Sequence, residues 1–158
     1  MLKYALAAAL SVTALTTAAS AAPLKLGDLT CQSAGGAGMI IASTKHLTCI
    51  FQPGDQAIPP ETYSGEITNI GIDLGVTGKT IMEWTVLAKN NVPYTRGSLS
   101  GSYSGVGANA SFAAGLGANL LVGGTGSSFI LQPLSVQVQE GVNAAVGIST
   151  LTLQPAAG

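Results

Sequence analysis

The sequence predicts an all-β chain: a single small antiparallel meander barrel or sandwich of about eight to nine strands, preceded by a cleaved signal-peptide helix. Three observations predict it. Apolar residues alternate with polar ones or glycine at Ile70, Ile72, Leu74 and Val76, at Met82, Trp84, Val86 and Ala88, and at Leu134, Val136 and Val138. That period of two belongs to strands with one buried face. No segment from Ala22 onward has a convincing amphipathic helical period. Gly-, Pro- and Asn-rich turns separate the runs at short intervals, the pattern of a barrel or a sandwich.

The first 21 residues read as a leader. Met1-Leu2-Lys3 is a short positive start, Tyr4 to Thr17 is an Ala/Leu-rich apolar run, and Ala19 and Ala21 fit the A-x-A cleavage pattern. This is the layout of a secretory signal peptide, with cleavage expected after Ala21 and Ala22 as second choice. The run is shorter than the roughly 20 residues a membrane span needs, so no transmembrane anchor is expected after cleavage. Residues 22–158 then form a single Gly-rich β-domain, long enough for its own core, in the periplasm or secreted.

Taken in order, Leu24-Lys25-Leu26 alternates, and Leu29 and Cys31 follow Gly27. Gly35-Gly36-Ala37-Gly38 reads as a loop. Met39-Ile40-Ile41 and Leu47-Thr48-Cys49-Ile50-Phe51 read as a hairpin around Ser43-Thr44-Lys45-His46. The two cysteines, Cys31 and Cys49, are expected to pair, as cysteines in exported chains usually do. Closing a loop of that size stabilises by about 3 kcal/mol on the chain-entropy argument. Gln52 to Pro60 is a loop, and Glu61 to Val76 returns to strand with a bulge expected near Asn69. Met82 to Ala88 forms the next inward face. Asn90-Asn91-Val92-Pro93 turns the chain, and Glu140-Gly141 turns it again. Val146, Ile148, Leu151 and Leu153 finish the sheet.

Between Asn91 and the last strands lies Gly97 to Gly126, without charge or proline. It keeps large apolar residues at intervals, which a flexible glycine linker does not. Leu99 and Tyr103 share a parity, as do Phe112, Leu116 and Leu120, so both sets are expected on strand faces. Gly105-Val-Gly107-Ala108-Asn109 is echoed by Gly115-Leu-Gly117-Ala118-Asn119. If the sheet closes, Trp84 and Tyr103 are the residues expected to line an apolar pocket, as in small ligand-holding barrels. Plain core packing is the other reading of both.

From Ala22 on, five basic residues face seven acidic ones, and from Gly97 the only charge is Glu140. Nucleic acid would need a basic face, so none is expected as a partner. Nucleophilic catalysis needs a base beside the nucleophile. The single histidine, His46, sits in the expected turn with no nucleophile elbow nearby, so no catalytic residue is assigned. His46 and two paired cysteines are too few for a metal site. Asp73 and Glu83 are expected outward across a hairpin, as solvated charges. The Gly123–Ser128 run lacks the lysine and the strand–loop–helix setting of a phosphate loop, so no cofactor is expected.

The landmarks as a set resemble a bacterial family of short exported proteins known only as a domain of unknown function. The matching pieces are Cys31 with Cys49, Tyr63-x-Gly65, Gly71-Ile72-Asp73-Leu74-Gly75, Trp84-x-Val86-x-Ala88 and Gly97-Ser-Leu-Ser-Gly101-x-Tyr103-x-Gly105. Further on come Gly115-x-Gly117-Ala118-Asn119-x-Leu121-x-Gly123-Gly124, Leu131-x-Pro133-x-Ser135 and Gly141-x-Asn143-x-Ala145. The resemblance covers nearly the whole chain after the leader. It implies no activity and no catalytic residues.

The expected function is a periplasmic, non-enzymatic β-domain binding a lipid, another apolar small molecule or an envelope component. The alternative is a structural protein that associates with itself or with an envelope protein. An outer-membrane barrel is disfavoured, because the aromatic residues are scattered and the chain ends Gln154-Pro-Ala-Ala-Gly158.

Overall fold

The computed structural model describes residues 22–33, 44–68, 80–105, 120–138 and 150–157. The strands are β1 (Leu24–Ser33), β2 (Thr44–Pro53), β3 (Glu61–Thr68), β4 (Thr80–Ala88), β5 (Gly101–Gly105), β6 (Leu121–Gly123), β7 (Phe129–Val138) and β8 (Thr150–Pro155). They close a barrel in the order β1-β2-β3-β8-β5-β6-β7-β4, with every neighbouring pair antiparallel. Residues 1–21, where a leader is expected, lie outside the described residues.

The expected all-β barrel is therefore found, closed and eight-stranded. The wiring is richer than a meander. β1-β2-β3 and β5-β6-β7 are each meanders, but β4 crosses back to lie beside β1 and β8 to lie beside β5. The spatial orders 4-1-2-3 and 8-5-6-7 are two Greek keys, fused through β3–β8 and β7–β4. Shifting every strand number by four reproduces the same cyclic order, so the topology carries a two-fold internal repeat. Of the hairpin expected across Asp73 and Glu83, Glu83 lies on β4 between β1 and β7, and Asp73 lies outside the described residues.

Alternation builds the interior. β2 and β3 bury every second residue: Leu47, Cys49, Phe51 and Pro53 on one, Glu61, Tyr63, Gly65 and Ile67 on the other. Met82, Trp84, Val86 and Ala88 are buried on β4, as their spacing predicts. One apolar cluster joins Met82, Trp84 and Val86 to Leu29, Leu47, Phe51, Tyr63, Ile67, Leu99, Tyr103, Leu121, Phe129, Leu131, Leu151 and Leu153. Leu87, Leu120 and Ile130 form a second, small cluster on the outer side of the wall.

Cys31 and Cys49 stand directly opposite each other in the β1–β2 register, Cα atoms 3.9 Å apart, and form the expected disulfide inside the barrel. Gly65 makes room for it. A Cβ at Gly65 would lie 2.9 Å from Cys49 Sγ and 3.2 Å from Leu47 Cβ. The bridge cannot retreat, since both its ends are fixed in paired strands.

Three local expectations change. His46 lies on β2, opposite Glu66, because the β2–β3 ladder runs on to Thr44 opposite Thr68. Cross-strand pairing overrides the turn preference of its polar neighbours. Leu99 is buried but precedes β5: Gly97 and Gly101, at φ 79° and 136°, take left-handed conformations that break the strand there. Leu134 is 58% exposed, because the β4–β7 register slips between Glu83 and Trp84 and Pro133 takes the place opposite the indole. Gly35–Ile41, Asn69–Val76, Phe112, Leu116, the Gly/Ala/Asn echo, Glu140-Gly141, Val146 and Ile148 lie outside the described residues.

Two stability outcomes follow. Gly65→Ala should cost about 1–3 kcal/mol in urea denaturation, the usual cost of forcing a methyl into a filled core. Replacing both Cys31 and Cys49 by Ala should cost about 3 kcal/mol, measured the same way, from the lost constraint on the unfolded chain.

Candidate functional site

β3 begins with a charge in an inward position. Glu61 has the parity of Tyr63, Gly65 and Ile67 and is only 8% exposed. A buried carboxylate must be paired and hydrogen-bonded to persist. Its partners come from its own strand and from the connection that carries the chain from β4 to β5.

That connection leaves β4 through a 3-10 turn over Lys89–Asn91, with Asn90 and Asn91 at positive φ. Asparagine tolerates that conformation better than most residues. The chain then crosses the rim where β1, β3, β5 and β7 start and β2, β4, β6 and β8 end. We call this rim the base. Val92 and Tyr94 pack against the barrel core, and the Tyr94 ring lies 4.6 Å from that of Phe51. Leu99 is fully buried, and its carbonyl accepts a 2.8 Å bond from the Tyr103 hydroxyl.

Glu61 Oε2 accepts from the Tyr63 hydroxyl at 2.7 Å, from the Gly97 N–H at 3.0 Å and from the Tyr94 hydroxyl. The two phenol oxygens are 3.1 Å apart. Arg96 Nε stands 3.8 Å from Oε1, from a largely exposed side chain. An ion pair so wet adds little. Burial by itself pushes the Glu61 carboxyl up. The hydrogen bonds from Tyr94, Gly97 and Tyr63, with Arg96, outweigh it and hold the carboxyl below its ordinary range. Burial, with Glu61 beside it, pushes the Tyr63 phenol up to about 12. Tyr94 is pushed up by burial and then by Glu61 and Tyr63. Tyr103 is pushed up by burial and by Tyr63. The carboxylate is thus a fixed acceptor and the phenols are fixed donors. Neither is poised to exchange protons near neutrality.

Trp84 and Tyr103, the residues expected at an apolar pocket, are brought into the same buried cluster, 2% and 0% exposed. Trp84 faces Leu29 and Pro133 across its ladders, and Tyr103 faces Gly123 and Leu151. His46 Nδ1 lies 3.7 Å from Glu66 Oε2 on the outer surface. Among the described residues no three His, Cys, Asp or Glu side chains converge on a point. The sequence reading passed over Glu61. The available signal was its parity: a glutamate two residues before Tyr63 and six before Ile67 shares their inward face.

Glu61→Gln should cost about 1–3 kcal/mol in urea denaturation, because a neutral amide replaces the acceptor of three donors. Glu66→Gln, on the exposed face, should stay within about 0.5 kcal/mol. Because the folded pKa of Glu61 is lowered, its stabilisation is present above the ordinary carboxyl range and is lost as pH falls through the folded value. The E61Q penalty should therefore shrink in acid. Absorbance titration of the chain from Ala22 on, whose tyrosines are Tyr63, Tyr94 and Tyr103, should show no phenol ionising at the unperturbed value of 10.0 before unfolding.

No curated protein and no solved structure matches this chain. The family described as "Protein of unknown function (DUF992)" matches residues 9–154. Nearly the whole chain, including every described strand up to Gln154, falls within that match, and the protein belongs to this family.

Proposed function

We propose that the protein is an exported, non-enzymatic barrel domain that takes up one lipid or other apolar small molecule. The observation that carries this reading is the two-sided character of the barrel wall. Inside lies a continuous apolar cluster, with its base closed by the Glu61 hydrogen bonds. Outside, β2, β3, β8 and β5 present Thr48, Thr62, Ser64, Gln154, Ser102 and Ser104 to solvent. Such an outer face suits water and lacks the apolar band a membrane barrel needs. Eight strands enclose an interior that side chains can fill or that can hold one small ligand.

The ligand would enter from the rim opposite the base, toward which Leu47, Ile67 and Met82 are buried inward residues of β2, β3 and β4, with Lys45 on the same face nearer the start of β2. Methionine re-packs readily around an incoming chain. The leader-like residues 1–21 and the buried disulfide support a periplasmic or secreted location. The engagement of Glu61 by donors on both sides supports a non-catalytic role. Self-association is the second reading. It is favoured by Leu24, Ile50 and Leu134, which stay 49%, 45% and 58% exposed.

Native mass spectrometry of the protein purified from its own periplasmic extract tests both. A stoichiometric apolar adduct that leaves on denaturation is the expected result. Delipidated protein titrated with a fatty acid should then show a saturable change in the emission of Trp84, the chain's single tryptophan. A bare monomer whose Trp84 emission ignores the fatty acid would refute ligand uptake. A concentration-dependent ladder of oligomers without adduct would replace it with the structural reading.

A further inference from the structure

We propose that residues 92–98 form an acid-released strap across the base of the barrel, held down by the Glu61 carboxylate and freed when it takes up a proton. The inference stands whether or not a ligand binds.

The geometry around Glu61 is one-sided. Everything that reaches the carboxylate is a donor: the Tyr63 and Tyr94 hydroxyls, the Gly97 N–H and the Arg96 guanidinium. The Gly97 amide and the guanidinium cannot turn round to accept. A proton added to Oε1 would point at a cation, and one added to Oε2 would collide with three hydrogen-bond donors. Protonation therefore turns the charged acceptor into a weaker neutral one and inserts a fifth donor. Of the groups displaced, Tyr94, Arg96 and Gly97 all belong to the strap.

The titratable and charged groups that face Glu61 are Tyr63 from its own strand and Tyr94 and Arg96 from the strap. β2 places Phe51 opposite it, and the tyrosine of β5, Tyr103, neighbours Tyr63. Among the described residues no second carboxylate is one of its partners, so the release follows one proton.

Apart from the packing of Val92 and Tyr94 on the core, the strap's other ties are hydrogen bonds that are long or internal. Ser98 N–H bonds back to the Thr95 carbonyl at 2.9 Å, and the Thr95 N–H reaches Ser98 Oγ at 3.3 Å. These keep the segment compact without fastening it to the wall. Thr125 N–H reaches the Ser98 carbonyl at 3.3 Å, a long neutral contact. Beyond Ser98 the Tyr103–Leu99 bond holds the chain to β5. That bond marks where the freed segment ends. Lifting residues 92–98 uncovers Phe51 and Tyr63, while the strand ladders stay paired.

Peptide-resolved hydrogen exchange of the full chain from pH ~7 to ~3, spanning the ordinary carboxylate range, tests the strap. Protection over residues 94–98 should fall by up to about tenfold per pH unit as pH drops from the ordinary carboxylate range to the folded Glu61 pKa, one proton per opening. Peptides covering β1, β3 and β4 should keep theirs over the same range. Tyr94→Phe removes one donor, so the transition should move to higher pH. Glu61→Gln should leave the strap unprotected at neutral pH, and where that variant does not fold, the wild-type and Tyr94→Phe series decide. Loss of protection in the strap and the strands together, in one transition, would overturn the proposal. So would a strap transition that Tyr94→Phe leaves in place.

Discussion

Closure of the sheet is the constraint on which the rest of this structure depends. β4 pairs along nine residues with β1 and nine with β7, and β8 bridges β3 to β5, so none of the described strands is left as an edge. A closed wall satisfies its own backbone donors and acceptors and offers no template for strand addition. It also fixes a narrow interior, and every inward side chain must share it. The disulfide occupies that space only because the residue facing it on β3 is Gly65, and the Tyr103 hydroxyl has its partner because Leu99 is folded in under β5. On β2, β3, β8 and β5 hydroxyls and amides face outward.

Closure leaves two rims, and the chain treats them differently. At the base, a buried carboxylate converts a loose crossover between the two Greek keys into a fitted stopper. The energetic logic is that of any buried charge: desolvation is offset only when several donors converge. Glu61 has three on a single oxygen. The outcome is a rigid end whose ionisable groups are locked in the states they hold at neutral pH.

Much of the fold was legible from period and punctuation. Met82, Trp84, Val86 and Ala88 announced an inward face, Leu151 and Leu153 another, and Cys31 and Cys49 their bond. The pairing of strands was not, because alternation says which face a residue takes and nothing about the neighbour. The crossovers of β4 and β8 are choices made by the closed wall as a whole. Local chemistry also misled: Ser43-Thr44-Lys45-His46 looks like a turn by composition, yet Thr44–His46 extends a ladder. The base cluster was partly legible. Glu61 shares the parity of Tyr63, but its partners Tyr94, Arg96 and Gly97 lie more than thirty residues on, in a segment without periodicity.

The antiparallel wiring has a consequence for how the molecule can be held. β1 begins and β8 ends at the base, so Leu24 and Pro155 both sit on the strap side, three neighbouring strands apart around the ring. A reporter or surface linker attached at either end of the described barrel therefore joins it on the strap side. An immobilised copy is held by its base whichever terminus carries the tether.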